Sequence, residues 1–182
     1  IRPNTLDELA GQQHLAGKGS ILRKAIEHGR IPSMILWGPP GTGKTTIANI
    51  IANTLNVPFF TLSAISAGVK DVREVIEQAK TIPKAIGTDC ILFIDEIHRF
   101  NKGQQDALLG AVEKGTITLI GATTENPSFE VNSALLSRCQ VYILKALEEK
   151  DLVQLLHTAI EKDEVLKQKK IELKETAALI NI

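Results

Sequence analysis

Apolar residues along this chain follow two alternating patterns. Short unbroken apolar runs, at Met34 to Trp37, Pro58 to Leu62, Cys90 to Ile94, Thr116 to Gly121 and Val141 to Leu144, read as strands buried on both faces. Between them, apolar positions recur at helical spacing. Ile47, Ile50, Ile51 and Leu55 share a face within Thr45 to Leu55; Val72, Val75, Ile76 and Ala79 within Asp71 to Lys80; and Ala107, Leu108, Ala111 and Val112 within Gln104 to Glu113. Strands and helices in alternation predict an α/β fold, a parallel five-stranded sheet with helices on its faces.

From Glu148 the pattern changes to "EEKDLVQLLHTAIEKDEVLKQKK", highly charged and helical throughout. A domain boundary is therefore expected near Lys145, with residues 1–145 as one unit and 146–182 as the start of a helical second one. The chain opens at Ile1 and stops at "TAALINI", inside an apolar helical pattern with no glycine stop, so it reads as a piece of something longer.

Composition narrows the class only a little. Lys plus Arg and Asp plus Glu both number 21 among 182 residues, so a polyanionic partner would have to meet a local patch. Cys90 and Cys139 are the two cysteines, read as buried thiols in a reducing compartment rather than as a disulfide framework. No apolar run approaches the ~18 residues of a membrane span, so no membrane partner is expected.

The stretch "WGPPGTGKTT" changes the picture. It fits G-x-x-x-x-G-K-[ST] at Gly38, Gly43, Lys44 and Thr45, after the strand "MILW" and at the start of a helix. The loop spanning Gly38, Pro39, Pro40, Gly41, Thr42, Gly43, Lys44, Thr45 and Thr46 is expected to wrap a nucleoside triphosphate. Glycines let successive N–H groups turn toward phosphate oxygens, and the helix N-terminus adds its positive end. Lys44 is placed for the β- and γ-phosphates, and the Thr45 hydroxyl for Mg²⁺, which takes hard oxygen ligands. A second motif, "CILFIDEIHRF", brings Asp95 and Glu96 out at the carboxyl end of an apolar strand, where ligands of open α/β sheets bind. Asp95 is suited to the metal side, Glu96 to accepting a proton from an attacking water.

Together these motifs resemble the AAA+ branch of the P-loop NTPases, specifically its clamp-loader and RuvB-like members. The segment "RPNTLDELAGQQHL" is similar to that branch's adenine-site segment, which brings in Gly11 and Gln12. "TLSA" resembles "ELNA", making Ser63 the polar residue that gates the catalytic glutamate. "LIGATTENP" resembles the sensor-one strand, with Thr124 ranked ahead of Thr123 and Asn126, and "LLSRC" resembles the arginine-finger motif at Arg138. More narrowly, "IPSMILWGPPGTGKTT", "ILFIDEIHRFNKGQQDALL" and "GTITLIGATTENPSFEVNSALLSRC" resemble the RarA/MgsA family, related to the Werner helicase-interacting ATPase.

That resemblance implies an ATP-hydrolysing, Mg²⁺-dependent, DNA-associated protein acting at stalled replication forks, in replication, recombination and repair. It implies a homotetramer assembled through a region after Ile182, where a sensor-two arginine is also expected. Implied partners are forked or single-stranded DNA and replication proteins such as a single-strand-binding protein. The implied location is the cytoplasm, with the nucleoid, in a bacterium, and the nucleus in a eukaryote. A RuvB-like DNA motor and a clamp-loader-type nucleotide-binding subunit stay open as alternatives. A polypeptide unfoldase is disfavoured because "SAISAGVKDVREV" carries no aromatic. His98 lacks a second ligand at metal spacing and receives no catalytic role, while Arg99 and Lys102 read as solvated surface cations.

Overall fold

The computed structural model describes residues 2–83, 90–169 and 171. The closing "TAALINI" lies outside them, while the expected second unit is described over residues 146–169 and 171. Elements run in the order α1 (Gln13–Ala16), α2 (Ile21–Glu27), β1 (Met34–Trp37), α3 (Lys44–Leu55), β2 (Phe59–Ser63), α4 (Val69–Lys80), β3 (Ile91–Asp95), α5 (Lys102–Glu113), β4 (Thr118–Thr123), α6 (Pro127–Glu130), α7 (Ser133–Leu136), β5 (Gln140–Ile143), α8 (Glu149–Lys162) and α9 (Glu164–Gln168), with short 3₁₀ turns at Leu6–Glu8 and Ile97–Arg99.

The five strands form one sheet in the order β2-β3-β4-β1-β5, with every neighbouring pair parallel. Each predicted strand is present, β1 with the expected bounds and the other four shifted by one or two residues; β4 starts at Thr118 rather than Thr116 because Thr116 closes the turn after α5, its N–H donating to the Ala111 carbonyl at 2.9 Å. The predicted helices each begin one or two residues earlier than apolar spacing suggested, since a first helical turn needs no apolar residue. The pattern gave no element before Met34, where α1 and α2 are too short to show a period.

Alternation along the strands loads both faces of the sheet. Met34, Leu36, Phe93 and Ile120 point to one side, against Ile47, Ile50 and Ile51 of α3 and Leu22 and Ile26 of α2. Ile35, Leu92, Ile94 and Leu119 point to the other, against Val72 and Ile76 of α4 and Leu108 and Ala111 of α5. Ile47, Ile50 and Ile51 are wholly buried, and each such side chain stabilises by about 1.5–3 kcal/mol. That burial, not a cap, anchors α3: its N-cap Gly43 has no side chain to accept from the first turn. The first N–H groups of α3 are thus free for another acceptor.

Neither cysteine is in a disulfide; Cys90 is buried, its thiol donating to the Thr116 carbonyl at 3.3 Å, and burial pushes half-buried Cys139 up to about 11. Among the described residues, no helix is long and apolar enough to cross a membrane.

Candidate functional site

Parallel topology puts the carboxyl ends of β1, β3 and β4 along one edge of the sheet, and there a cleft of about 440 Å³ opens. It is lined by the loop from Pro40 to Thr46, by Asp95 and Glu96 at the end of β3, by Thr123 and Thr124 at the end of β4, and by Arg2. Four regions far apart in sequence converge on it.

The loop between β1 and α3 turns through left-handed backbone at Gly41 (φ 74°) and Gly43 (φ 96°), which only glycine adopts at low cost. Gly38 answers a different constraint: a Cβ there would come within 2.6 Å of the Leu144 carbonyl beside β5. Within the loop, the Thr42 hydroxyl donates to the Pro39 carbonyl at 2.9 Å. The Lys44 ammonium donates to the Gly38 and Pro39 carbonyls at 2.8 and 2.7 Å. Gly38 and Pro39 thus form the inner rim of the loop, behind the residues that line the cleft. Burial lowers the Lys44 pKa, and the Asp95 carboxylate opposes that shift. A cation short of solvation, held by neutral carbonyls and the Thr42 hydroxyl, is matched to an incoming phosphate anion.

Asp95 is exposed to the cleft as the last residue of β3, opposite Ser63 in the β2 register. Glu96 follows in left-handed backbone, φ 53°, a conformation unusual for a residue with a Cβ. Its Oε2 accepts from Arg99 Nε at 2.9 Å; Arg99 is exposed, as expected of a solvated surface cation, and is paired as well. The donor set for a hard cation consists of the Thr45 hydroxyl and the Asp95 carboxylate, both exposed to the cleft, and oxygen donors of this kind suit Mg²⁺.

Thr123 and Thr124 differ in what surrounds them. Thr123 is buried, and its hydroxyl accepts from the Glu125 N–H at 3.0 Å, donates to the Glu125 carbonyl at 3.2 Å, and lies 2.9 Å from His98 Nδ1. Thr124 is exposed to the cleft, and its hydroxyl has no hydrogen bond to any described residue. Asn126 is used as the N-cap of α6, accepting from Ser128 N–H. Of the three residues considered for sensing, Thr124 alone presents an unengaged group to the cleft.

Gly11, Gln12 and Arg138 do not line the cleft. Gln12 is fully buried, its amide donating to the Thr42 and Lys145 carbonyls at 3.3 and 2.8 Å while its carbonyl oxygen accepts from Lys145 N–H at 3.1 Å. It braces the phosphate-type loop from behind and ties it to the segment leaving β5. Gly11, at φ 80°, packs where a Cβ would lie 2.6 Å from Leu147 and 3.0 Å from Asp151. Arg138 sits just before β5, near Pro32 and Ser33 that precede β1, and so at the opposite edge of the sheet from Lys44. Its guanidinium pairs with Glu113 at 2.5 Å. Sequence reasoning missed Arg2 as a lining residue, although it stands in the "RPNTLDELAGQ" segment already assigned to the site's wall.

The family described as "ATPase family associated with various cellular activities (AAA)" matches residues 34–147. Replication-associated recombination protein A of Coxiella burnetii is 55% identical over 96% of the chain, and that of Escherichia coli K12 is 57% identical over 88%. The chain spans 39% and 36% of those two relatives. Among solved structures, the RuvB Holliday junction branch migration motor of Thermotoga maritima aligns with TM-score 0.71 and 34% identity, over 88% of this chain and 54% of that one. The AAA match covers both motif regions and the whole sheet, and with it the chain belongs to the AAA family of ATPases.

Proposed function

We propose that this chain is the nucleotide-binding and hydrolysing part of an ATP-dependent DNA-maintenance protein acting at stalled replication forks. The observation that carries the reading is the convergence of Lys44, Thr45, Asp95, Glu96 and Thr124 on one cleft, beside uncapped N–H groups of α3. Residues 1–145 serve as the nucleotide domain and 146–182 as the beginning of the lid.

The loop N–H groups and Lys44 take the β- and γ-phosphates, with Lys44 exchanging its carbonyl partners for phosphate oxygens. Thr45 and Asp95 would hold Mg²⁺, which when bound offsets charge on the phosphate oxygens. Glu96 accepts a proton from the water whose oxygen attacks the γ-phosphorus. The new P–O bond forms as the bond to the ADP oxygen breaks. Thr124 donates to the γ-phosphate or positions that water. Gln12 and Gly11 shape the wall on the base side, and Arg138 acts in trans on the cleft of a neighbouring copy, since it stands across the sheet from its own.

The recombination-protein relatives support a role in replication, recombination and repair, with forked or single-stranded DNA and the replication machinery as partners. The location that goes with it is the cytoplasm and nucleoid in a bacterium, or the nucleus in a eukaryote. The likeness to RuvB favours one second reading, a DNA motor, which a branch-migration assay on a synthetic four-way junction would separate from fork maintenance. Nucleotide binding is tested with Lys44→Ala and a fluorescent ATP analogue. Loss of charge-assisted contacts predicts at least about tenfold weaker affinity; an unchanged titration would contradict the site.

A further inference from the structure

Two helices hold the Arg138 guanidinium at once. Its Nη1 donates to the Ala134 carbonyl of α7 at 2.9 Å and to the hydroxyl of Ser137, the C-cap of α7, at 3.1 Å. Its Nη2 meets Glu113 Oε1, at the end of α5, at 2.5 Å. The same two helices are joined at their starts. Buried Gln105 of α5 donates to the Glu130 carbonyl at 3.1 Å and accepts at 2.6 Å from the N–H of Asn132, the N-cap of α7. The segment that carries Arg138 is therefore gripped by α5 at its beginning and at its end. Glu113 is the last residue of α5, with no basic residue in that turn. A carboxylate there faces the negative end of the helix dipole, so its charge brings its own helix no gain. Its pairing with Arg138 adds little to the stability of the fold, because the two side chains are 42% and 43% exposed.

We infer that Glu113 is a positioning residue for Arg138, fixing the guanidinium so that its remaining N–H groups are presented to the phosphates of a neighbouring copy. The inference rests on the proposed action of Arg138 in trans. A guanidinium is a rigid planar fork, so anchoring Nη1 and one side of Nη2 aims the donors left over. Among the described residues Nε has no partner, and it is one of those donors. The hollow of about 600 Å³ that Arg138 and Glu113 line with Pro32, Ser33 and Val112 leaves room beside them for a second copy's phosphates.

The test uses full-length variants assayed for steady-state phosphate release across ATP concentrations. Glu113→Ala is expected to lower kcat by about ten- to a hundredfold, the effect of a misplaced transition-state group, with KM for ATP unchanged. Glu113→Gln keeps an oxygen acceptor at the same reach and should stay within about fivefold of the parent. Mixing gives a readout that a merely structural role would not move. Glu113→Ala keeps a sound cleft but lacks an aimed arginine. Mixed oligomers with Lys44→Ala should therefore release phosphate faster than either protein alone, and those with Arg138→Ala should not. A parent-like kcat for Glu113→Ala, a raised KM, a Glu113→Gln no better than Glu113→Ala, or equal rescue by both partners would overturn the inference. Arg138→Ala assayed alone separates the two layers. If it hydrolyses ATP at the parent rate, the reading of Arg138 has failed. If it is inactive while Glu113→Ala keeps the parent kcat, only the positioning role has failed. Unaltered melting temperature and ATP-analogue affinity of Glu113→Ala confirm a folded, loaded variant, whereas a fall in either marks a structural role and contradicts the inference.

Discussion

His98 Nδ1 and Thr123 Oγ1 lie 2.9 Å apart, a contact that joins the turn after Asp95 to the end of β4. Because Glu125 uses the same hydroxyl twice, Thr123 has nothing left to offer a nucleotide, whereas its neighbour Thr124 does. Thr124→Val is expected to lower kcat for ATP by at least about tenfold, the size of a lost transition-state hydrogen bond, with melting temperature unchanged. Thr123→Val should do the reverse to stability: a buried group loses its partners, at a cost of about 1–3 kcal/mol. Parallel melting curves and phosphate-release rates of the two variants check this, and an exchange of the two phenotypes would contradict the assignment.

Gln12 clasps Lys145 across 133 positions of sequence and reaches the Thr42 carbonyl in the same step. Gln12→Leu keeps the volume and takes the Gln12 amide from the Lys145 N–H and from the Lys145 and Thr42 carbonyls, the last of them buried. The expected destabilisation is about 3 kcal/mol in urea unfolding. A loss below about 0.5 kcal/mol, the range of ordinary surface changes, would show that the clasp is incidental.

How much of this was readable in the chain depends on how local the cause is. The loop at Gly38 to Thr46 was legible because left-handed turns at Gly41 and Gly43 and a free helix start need those residue types at that spacing. Asp95 and Glu96 were legible because a wholly apolar strand, Ile91 to Ile94, has to end where they begin. Strand limits shifted by a residue or two where turn hydrogen bonds, such as Thr116 to Ala111, decided the boundary instead of hydrophobicity. The Gln12 clasp and the His98–Thr123 contact were not legible, since their partners come together only through the sheet order. Arg99 and Glu96 stand three residues apart and could have been paired by spacing. The motif around them drew the eye to phosphate chemistry instead, and nothing in the pattern signalled the left-handed Glu96.

Arg138 faces away from the cleft of its own chain and is held by Glu113. If it serves a neighbour, Arg138→Ala in the full-length protein should bind ATP normally while hydrolysis falls by about 10³- to 10⁵-fold. The present 182-residue chain should bind ATP and barely hydrolyse it. Mixing full-length Arg138→Ala, which keeps a sound cleft, with full-length Lys44→Ala, which keeps its arginine, should restore part of the activity that each lacks. Mixed oligomers that co-purify but stay inactive would contradict action in trans.

The central claim is that this cleft hydrolyses ATP with Glu96 as the base, and one measurement bears on it most directly. Full-length Glu96→Gln is compared with the parent for Mg²⁺·ATP affinity and for steady-state phosphate release in the same preparation. An amide can hydrogen-bond the attacking water but cannot take its proton, so affinity should hold while turnover falls by about 10²- to 10⁴-fold. Phosphate release at the parent rate, with ATP bound as tightly as before, would contradict the account.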